Sequence, residues 1–129
     1  DALSGFIADI PVYDYSLEKI ISKRHLPVIS NKVEGYTRDK VLYIRVEDND
    51  MFGFKIFKDA QIFGVLVSEI DLDGIFFIEY SGKRMIRQIK KMSSDRYILV
   101  SNNGNLKTET AMAKEVTILA HLVRIEILL

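Results

Sequence analysis

Apolar and polar positions alternate along much of this chain with the period of two that marks half-buried strands. Phe6, Ile7, Ile10, Pro11, Val12 and Tyr13 form a first arm or short strand, and Pro11 confines it to an edge or an irregular stretch. Leu17, Ile20 and Ile21 then fall at helical spacing behind Ser16, a capping residue type, with Glu18 suited to a first turn. The expectation is a short helix from Leu17 to about Arg24, closed off by Pro27. From Val41 onward strands dominate. Val41–Val46 is rich in β-formers and is broken by Glu47-Asp48-Asn49-Asp50. Phe52–Phe57 is apolar and interrupted by Lys55, and Ile62–Val67 is the next strand. After a turn at Asp73-Gly74, Gly74–Tyr80 and Met85–Ile89 pair as a hairpin across Ser81-Gly82. Tyr97–Val100, Val116–Leu119 and Leu122–Leu128 follow, separated by turns at Ser93-Ser94-Asp95 and Asn102-Asn103-Gly104. Roughly six or seven short strands at such spacing predict a mostly β domain with one short N-terminal helical element. Residues 1–40 are the less regular lobe and residues 41–129 the β core.

Composition narrows the class. With 129 residues the chain is one domain, and 48% hydrophobic with 28% charged residues is a globular balance. Eighteen basic residues offset 18 acidic ones, which argues against a basic nucleic-acid module. The absence of cysteine excludes thiolate catalysis, disulfide scaffolds and cysteine zinc sites. No apolar run is long enough to span a membrane. Asp1 opens the chain without methionine or a signal pattern, and the expectation is that an N-terminal part is missing. A cytoplasmic location is expected.

Few residues offer chemistry. His25 and His121 stand far apart in sequence, and the plain reading is one surface and one packed histidine. Glu47, Asp48 and Asp50 offer oxygens to a cation but lack calcium-loop spacing, so a solvated turn is the simpler reading. No metal or cofactor is expected. The basic run Lys83–Lys91 is compatible with phosphate contacts, but alternation divides it. Met85, Arg87 and Ile89 share one face, and Arg84, Ile86, Gln88 and Lys90 the other. Arg87 between two apolar neighbours on a packed face calls for a carboxylate partner, because an unpaired buried charge is strongly destabilising; a solvated mixed face is the other reading. Ser68, Ser81 and Lys83 are available to a hydrolase, although Ser81 and Lys83 read as turn residues.

The order of these features resembles the C-terminal domains of the LexA repressor, the UmuD protein and lambda-type phage repressors, over about residues 10–129. Val46–Met51 stands where that family has its Gly-Asp-Ser-Met nucleophile signature. Asp73-Gly74-Ile75-Phe76 resembles its Asp-Gly strand start, Met85–Lys91 the strand of its catalytic lysine, and Leu99–Asn103 its Leu-x-Ser-x-Asn. Leu119–Leu128 resembles the closing strand. The resemblance implies a β-rich fold in which a serine–lysine dyad cuts the chain's own linker. It also places Asp50 at the serine position and Arg87 at the lysine position. The Ala-Gly scissile pair expected soon after Ile10-Pro11-Val12 is replaced by Tyr13-Asp14-Tyr15-Ser16.

Those departures remove the implied chemistry. The dyad needs a neutral amine to take the serine proton, and arginine stays protonated at any relevant pH. Asp50 and Arg87 instead suit a salt bridge where the dyad stood. The implied role is the dimerisation and regulatory domain of a bacterial or phage transcriptional repressor, catalytically inactive. Its partners are a second copy, operator DNA through an upstream helix-turn-helix domain, and an antirepressor protein. The closing strand, with Leu122, Val123, Ile125, Ile127 and Leu128, suits a dimer interface, and equally a buried central strand. The alternatives are a stand-alone peptide-binding module of the same fold, or an active self-cleaving peptidase in a shifted register around Met51.

Overall fold

The computed structural model describes residues 6–126. Its strands are β1 (Ile7–Tyr13), β2 (Ile20–Pro27), β3 (Lys32–Val33), β4 (Tyr36–Thr37), β5 (Val41–Arg45), β6 (Gln61–Leu66), β7 (Gly74–Tyr80), β8 (Lys83–Ser93), β9 (Arg96–Asn102), β10 (Leu106–Met112) and β11 (Val116–Glu126). Nine of them form one sheet in the order β10-β9-β8-β7-β11-β6-β5-β1-β2, and β3 pairs with β4. Neighbours are antiparallel except β1 with β5, which meet in parallel only at Val12–Tyr43 and Tyr13–Ile44. Pro11 therefore sits where β1 has no paired strand on the β5 side, and its missing N–H costs no ladder bond there.

The expected fold class holds: the chain is mostly β. The expected helix from Leu17 to Arg24 does not form. Leu17 lies in the left-handed region at φ 60°, so the chain cannot enter a helix there. Ser16 closes a turn rather than capping a helix: its N–H donates to Asp14 Oδ1 (3.0 Å), and its Oγ accepts the Glu18 N–H (3.1 Å). Ile20 and Ile21 then enter β2, whose pairing with β1 determines the outcome. The Ser81-Gly82 turn has φ 52° and 74°, the left-handed pair that a two-residue hairpin loop requires. β10 is a strand the alternation did not signal. The two closing segments are one strand, β11, whose register slips between Ile118 and Ala120 and again between Leu122 and Arg124.

The sheet is packed on both faces. Leu42, Ile44, Ile62, Phe77, Ile86, Ala120 and Leu122 make one core, covered by Tyr15, Val46, Met51, Ile56 and Ala60 from the turn after β1 and the β5–β6 loop. The opposite sides of β1, β5 and β6 pack Ile10, Val12, Tyr43 and Phe63 with Val28 and Val33. The opposite sides of β7, β8 and β9 pack Phe76, Ile78, Ile89 and Leu99 with Ile70. Val67 touches both of these clusters. No helix among the described residues is long and apolar enough to cross a membrane.

Candidate functional site

The β5–β6 loop carries the acidic run and is held at three points. At its base, the Val46 N–H donates to Ala60 O (2.9 Å) and the Asp59 N–H to Val46 O (2.8 Å). In its middle, Met51 and Ile56 are buried in the core, at 1% and 0% exposure. At its tip, Asp50 O accepts the Asn102 N–H (3.0 Å), which ties the loop to the end of β9. A short 3-10 turn, Phe52–Phe54, follows, and Lys55 ends it in the left-handed region. The side chain of Asn102 lies against Gly53, where an added Cβ would come within 2.1 Å of Asn102 Cγ. That same Asn102 side chain accepts the Gly104 N–H (3.0 Å), so it has little freedom to retreat. Gly53→Ala is therefore expected to cost about 1–3 kcal/mol in chemical denaturation through overpacking. A change within experimental error would show that the β9–β10 turn yields freely. Nothing in the sequence marks Gly53, since a lone glycine in an apolar run carries no signal of its neighbour.

Arg87 reaches this loop from β8. It stands opposite Phe76, on the face to which Met85 and Ile89 contribute, as the alternation implied. Its Nη2 lies 3.2 Å from Asp50 Oδ2, and its Nη1 donates to Ile86 O (2.8 Å). The arginine side chain is only 18% exposed, whereas Asp50 is 47% exposed. Solvent at the carboxylate screens the pair, so its coupling is expected near 1 kcal/mol rather than the larger figure of a fully buried pair. A double-mutant cycle of Asp50→Asn and Arg87→Met, read by urea unfolding, measures it. Additivity within about 0.3 kcal/mol would remove the pair from the account.

The pair lines an open, polar groove of about 510 Å³, whose further walls are Leu99, Ser101 and Asn103 from β9 and its turn, with Lys107 and Glu109 from β10. Beside the loop, the turn after β1 is clamped. The Tyr15 N–H donates to Glu47 Oε2, and Arg84 donates to the carbonyls of Tyr15 (3.0 Å) and Ser16 while meeting Glu79 Oε1 at 3.3 Å. The Tyr15 ring packs on Phe77 (5.1 Å). Burial pushes the Tyr15 hydroxyl well above the ordinary tyrosine range, and the nearby Asp48 charge adds to this. The segment where a scissile pair was sought is thus pinned to the body of the domain.

Asp50 with Arg87, and Tyr15 with Glu47 and Arg84, thus fasten the β5–β6 loop and the turn after β1 to the sheet. The peptidase S24-like description matches residues 10–123. The chain belongs to the peptidase S24-like family. Among curated proteins nothing matches it. In this S24-like domain the remaining candidates lie apart. His25, on β2, pairs with Asp9 at 2.5 Å and both are exposed. His121, on β11, stacks on Phe76 (4.7 Å, 18°), and partial burial lowers its pKa. Asp48 Oδ1 accepts the Asp50 N–H (3.0 Å), so the acidic run is bonded internally. Among the described residues no group of three or more histidines and acids is placed to hold a metal ion. On β11, Leu122 is buried in the core of its own chain, whereas Val123 and Ile125 are each 37% exposed. Ile127 and Leu128 lie outside the described residues. β11 is a central strand, flanked by β7 and β6, which accounts for its apolar character on both faces.

Proposed function

We propose that this S24-like domain is the non-cleaving assembly and regulatory half of a repressor-like transcriptional regulator in a bacterial or phage cytoplasm. The observation that carries the reading is the 3.2 Å contact of Arg87 with Asp50. A serine–lysine dyad works because a neutral lysine amine accepts the serine proton. The guanidinium of Arg87 has no lone pair to offer, and Asp50 has no hydroxyl to activate. At the family's dyad positions this chain then holds an ion pair, which fastens the β5–β6 loop to β8. The Glu47 and Arg84 clamps on Tyr15 and Ser16 agree with a linker that is not presented for cutting.

What is left is assembly. An upstream helix-turn-helix domain would gain operator affinity from dimerisation, because a second DNA contact on the same particle binds at a high effective concentration. Release would fall to another trigger, an antirepressor protein or a small ligand, rather than to cleavage. Val123 and Ile125, beside Ile56, Ile62 and Ile75, line an apolar concavity of about 220 Å³ that suits such a contact. Analytical ultracentrifugation tests this. The chain should be an intact dimer, and Val123→Asp with Ile125→Asp should shift it to monomer with its fold retained by circular dichroism. A chain that is monomeric at every concentration would favour the peptide-binding reading instead.

A further inference from the structure

The two edges of the sheet differ. β2 bears Lys23, Arg24 and His25 in a row and ends at Pro27, and its pairing with β1 is irregular at Val12 and Tyr13. Such features discourage a further strand. β10 has no proline and no irregularity in its pairing, and its two charges, Lys107 and Glu109, are of opposite sign. It runs Leu-Lys-Thr-Glu-Thr-Ala-Met in unbroken register with β9, and Leu106 through Thr110 are all exposed.

The backbone of β10 points outward at known positions. The Ala113 N–H donates to Asp95 O (2.8 Å), one step beyond the Met112–Arg96 pair and in the same register. Hydrogen-bonding residues alternate along an antiparallel strand. Ala111, Glu109 and Lys107 therefore turn their N–H and C=O groups toward β9, and Leu106, Thr108 and Thr110 turn theirs to solvent. Lys107 and Glu109 share a side-chain face that also lines the polar groove. Tyr80 Oη donates to Glu109 Oε1 (3.3 Å), and among the described residues no ion pair engages Lys107.

We propose that the β10 edge is self-complementary and takes β10 of a second copy of this chain, antiparallel, about a two-fold axis at Thr108. In that register Thr108 and the partner's Thr108 exchange backbone hydrogen bonds. Leu106 faces the partner's Thr110, and Lys107 faces the partner's Glu109, with both contacts made twice. The charges also disfavour the neighbouring registers that the backbone allows. A shift one way sets Lys107 on the partner's Lys107, and a shift the other way sets Glu109 on the partner's Glu109; like charges directly opposite are destabilising. This surface lies on the sheet edge and does not use Val123 or Ile125. With this edge and the proposed β11 contact both made, the domain would assemble beyond a dimer.

Charge reversal tests the register. Lys107→Glu and Glu109→Lys, each alone, place like charges at both contacts and should weaken the association about tenfold or more in sedimentation velocity. The double variant exchanges the signs and should regain it. Running the series with and without Val123→Asp and Ile125→Asp separates this edge from the β11 contact, so either can fail alone. Because the chain has no cysteine, Thr108→Cys supplies a single thiol. A hydrogen-bonded antiparallel pair has Cα atoms about 5.5 Å apart, within disulfide reach, so this variant should link on mild oxidation. Thr110→Cys places its two thiols on the order of 13 Å apart and should not. Association that survives the single reversals, a double variant that stays dissociated, or equal linking by the two cysteine variants would overturn the proposal.

Discussion

Phe77→Ala is expected to lower the unfolding free energy by about 3–5 kcal/mol, the range for deleting a fully buried aromatic ring. Phe77 has no exposed surface and sits on β7 among Ile44, Ile62, Ile86 and Ala120. None of these β-sheet neighbours can close the cavity without moving a strand, so little of the loss is recovered by relaxation. The substitution also removes the ring against which Tyr15 packs. The turn Asp14–Leu17 would then lean more heavily on Glu47 and Arg84, and trypsin should cut after Lys19 sooner than in the parent chain. Urea unfolding gives the stability, with an unchanged slope if the denatured state is unaffected. Phe52→Ala, at a ring that is 50% exposed, serves as the control and should cost far less. A loss below about 1 kcal/mol for Phe77→Ala would mean that the core is not built as described.

Met51→Ala should cost about 2–4 kcal/mol for the same reason, since its side chain is 1% exposed in the same core. Its local consequence differs. Met51 follows Asp50 directly, and burying it sets where the carboxylate stands relative to Arg87. Loss of that anchor should also reduce the coupling between Asp50 and Arg87 in the double-mutant cycle, although neither residue has changed. Met92→Ala, at a side chain that is 59% exposed, should stay within about 0.5 kcal/mol. If Met51→Ala lowered stability while leaving the coupling intact, the Asn102 hydrogen bond to Asp50 O would be sufficient to hold the loop.

Much of this was legible where the side chains themselves carried the pattern. Gly74–Tyr80 coincides with the expected strand, and β5, β6 and β9 start at Val41, Gln61 and Arg96, at or one residue before the expected Val41, Ile62 and Tyr97, because alternation there reflects two different surroundings on the two faces. Arg87 was found in the same way: its position between Met85 and Ile89 demanded a partner, and the resemblance pointed to Asp50. Other features are not encoded locally. The helical spacing of Leu17, Ile20 and Ile21 is also compatible with a strand, and the decision came from pairing with β1 and the left-handed Leu17. β10 was missed because an exposed edge strand has little to bury; only Ala111 reaches the core. Val116–Leu119 and Leu122–Leu128 were read as two strands because bulges interrupt the period of a single one. Tyr15 with Glu47, and Gly53 with Asn102, join residues dozens of positions apart, which no local pattern can reveal.

If Asp50 and Arg87 replace the family's serine–lysine dyad, the chain cannot cut itself, and its integrity can be measured. Native mass spectrometry after prolonged incubation at alkaline pH, where a catalytic lysine would be most active, reads every bond at once. Only intact chains of 14.8 kDa, single or assembled, are expected at all times and concentrations. A fragment released by a cut between Tyr13 and about Arg24, appearing in the absence of any protease, would contradict it.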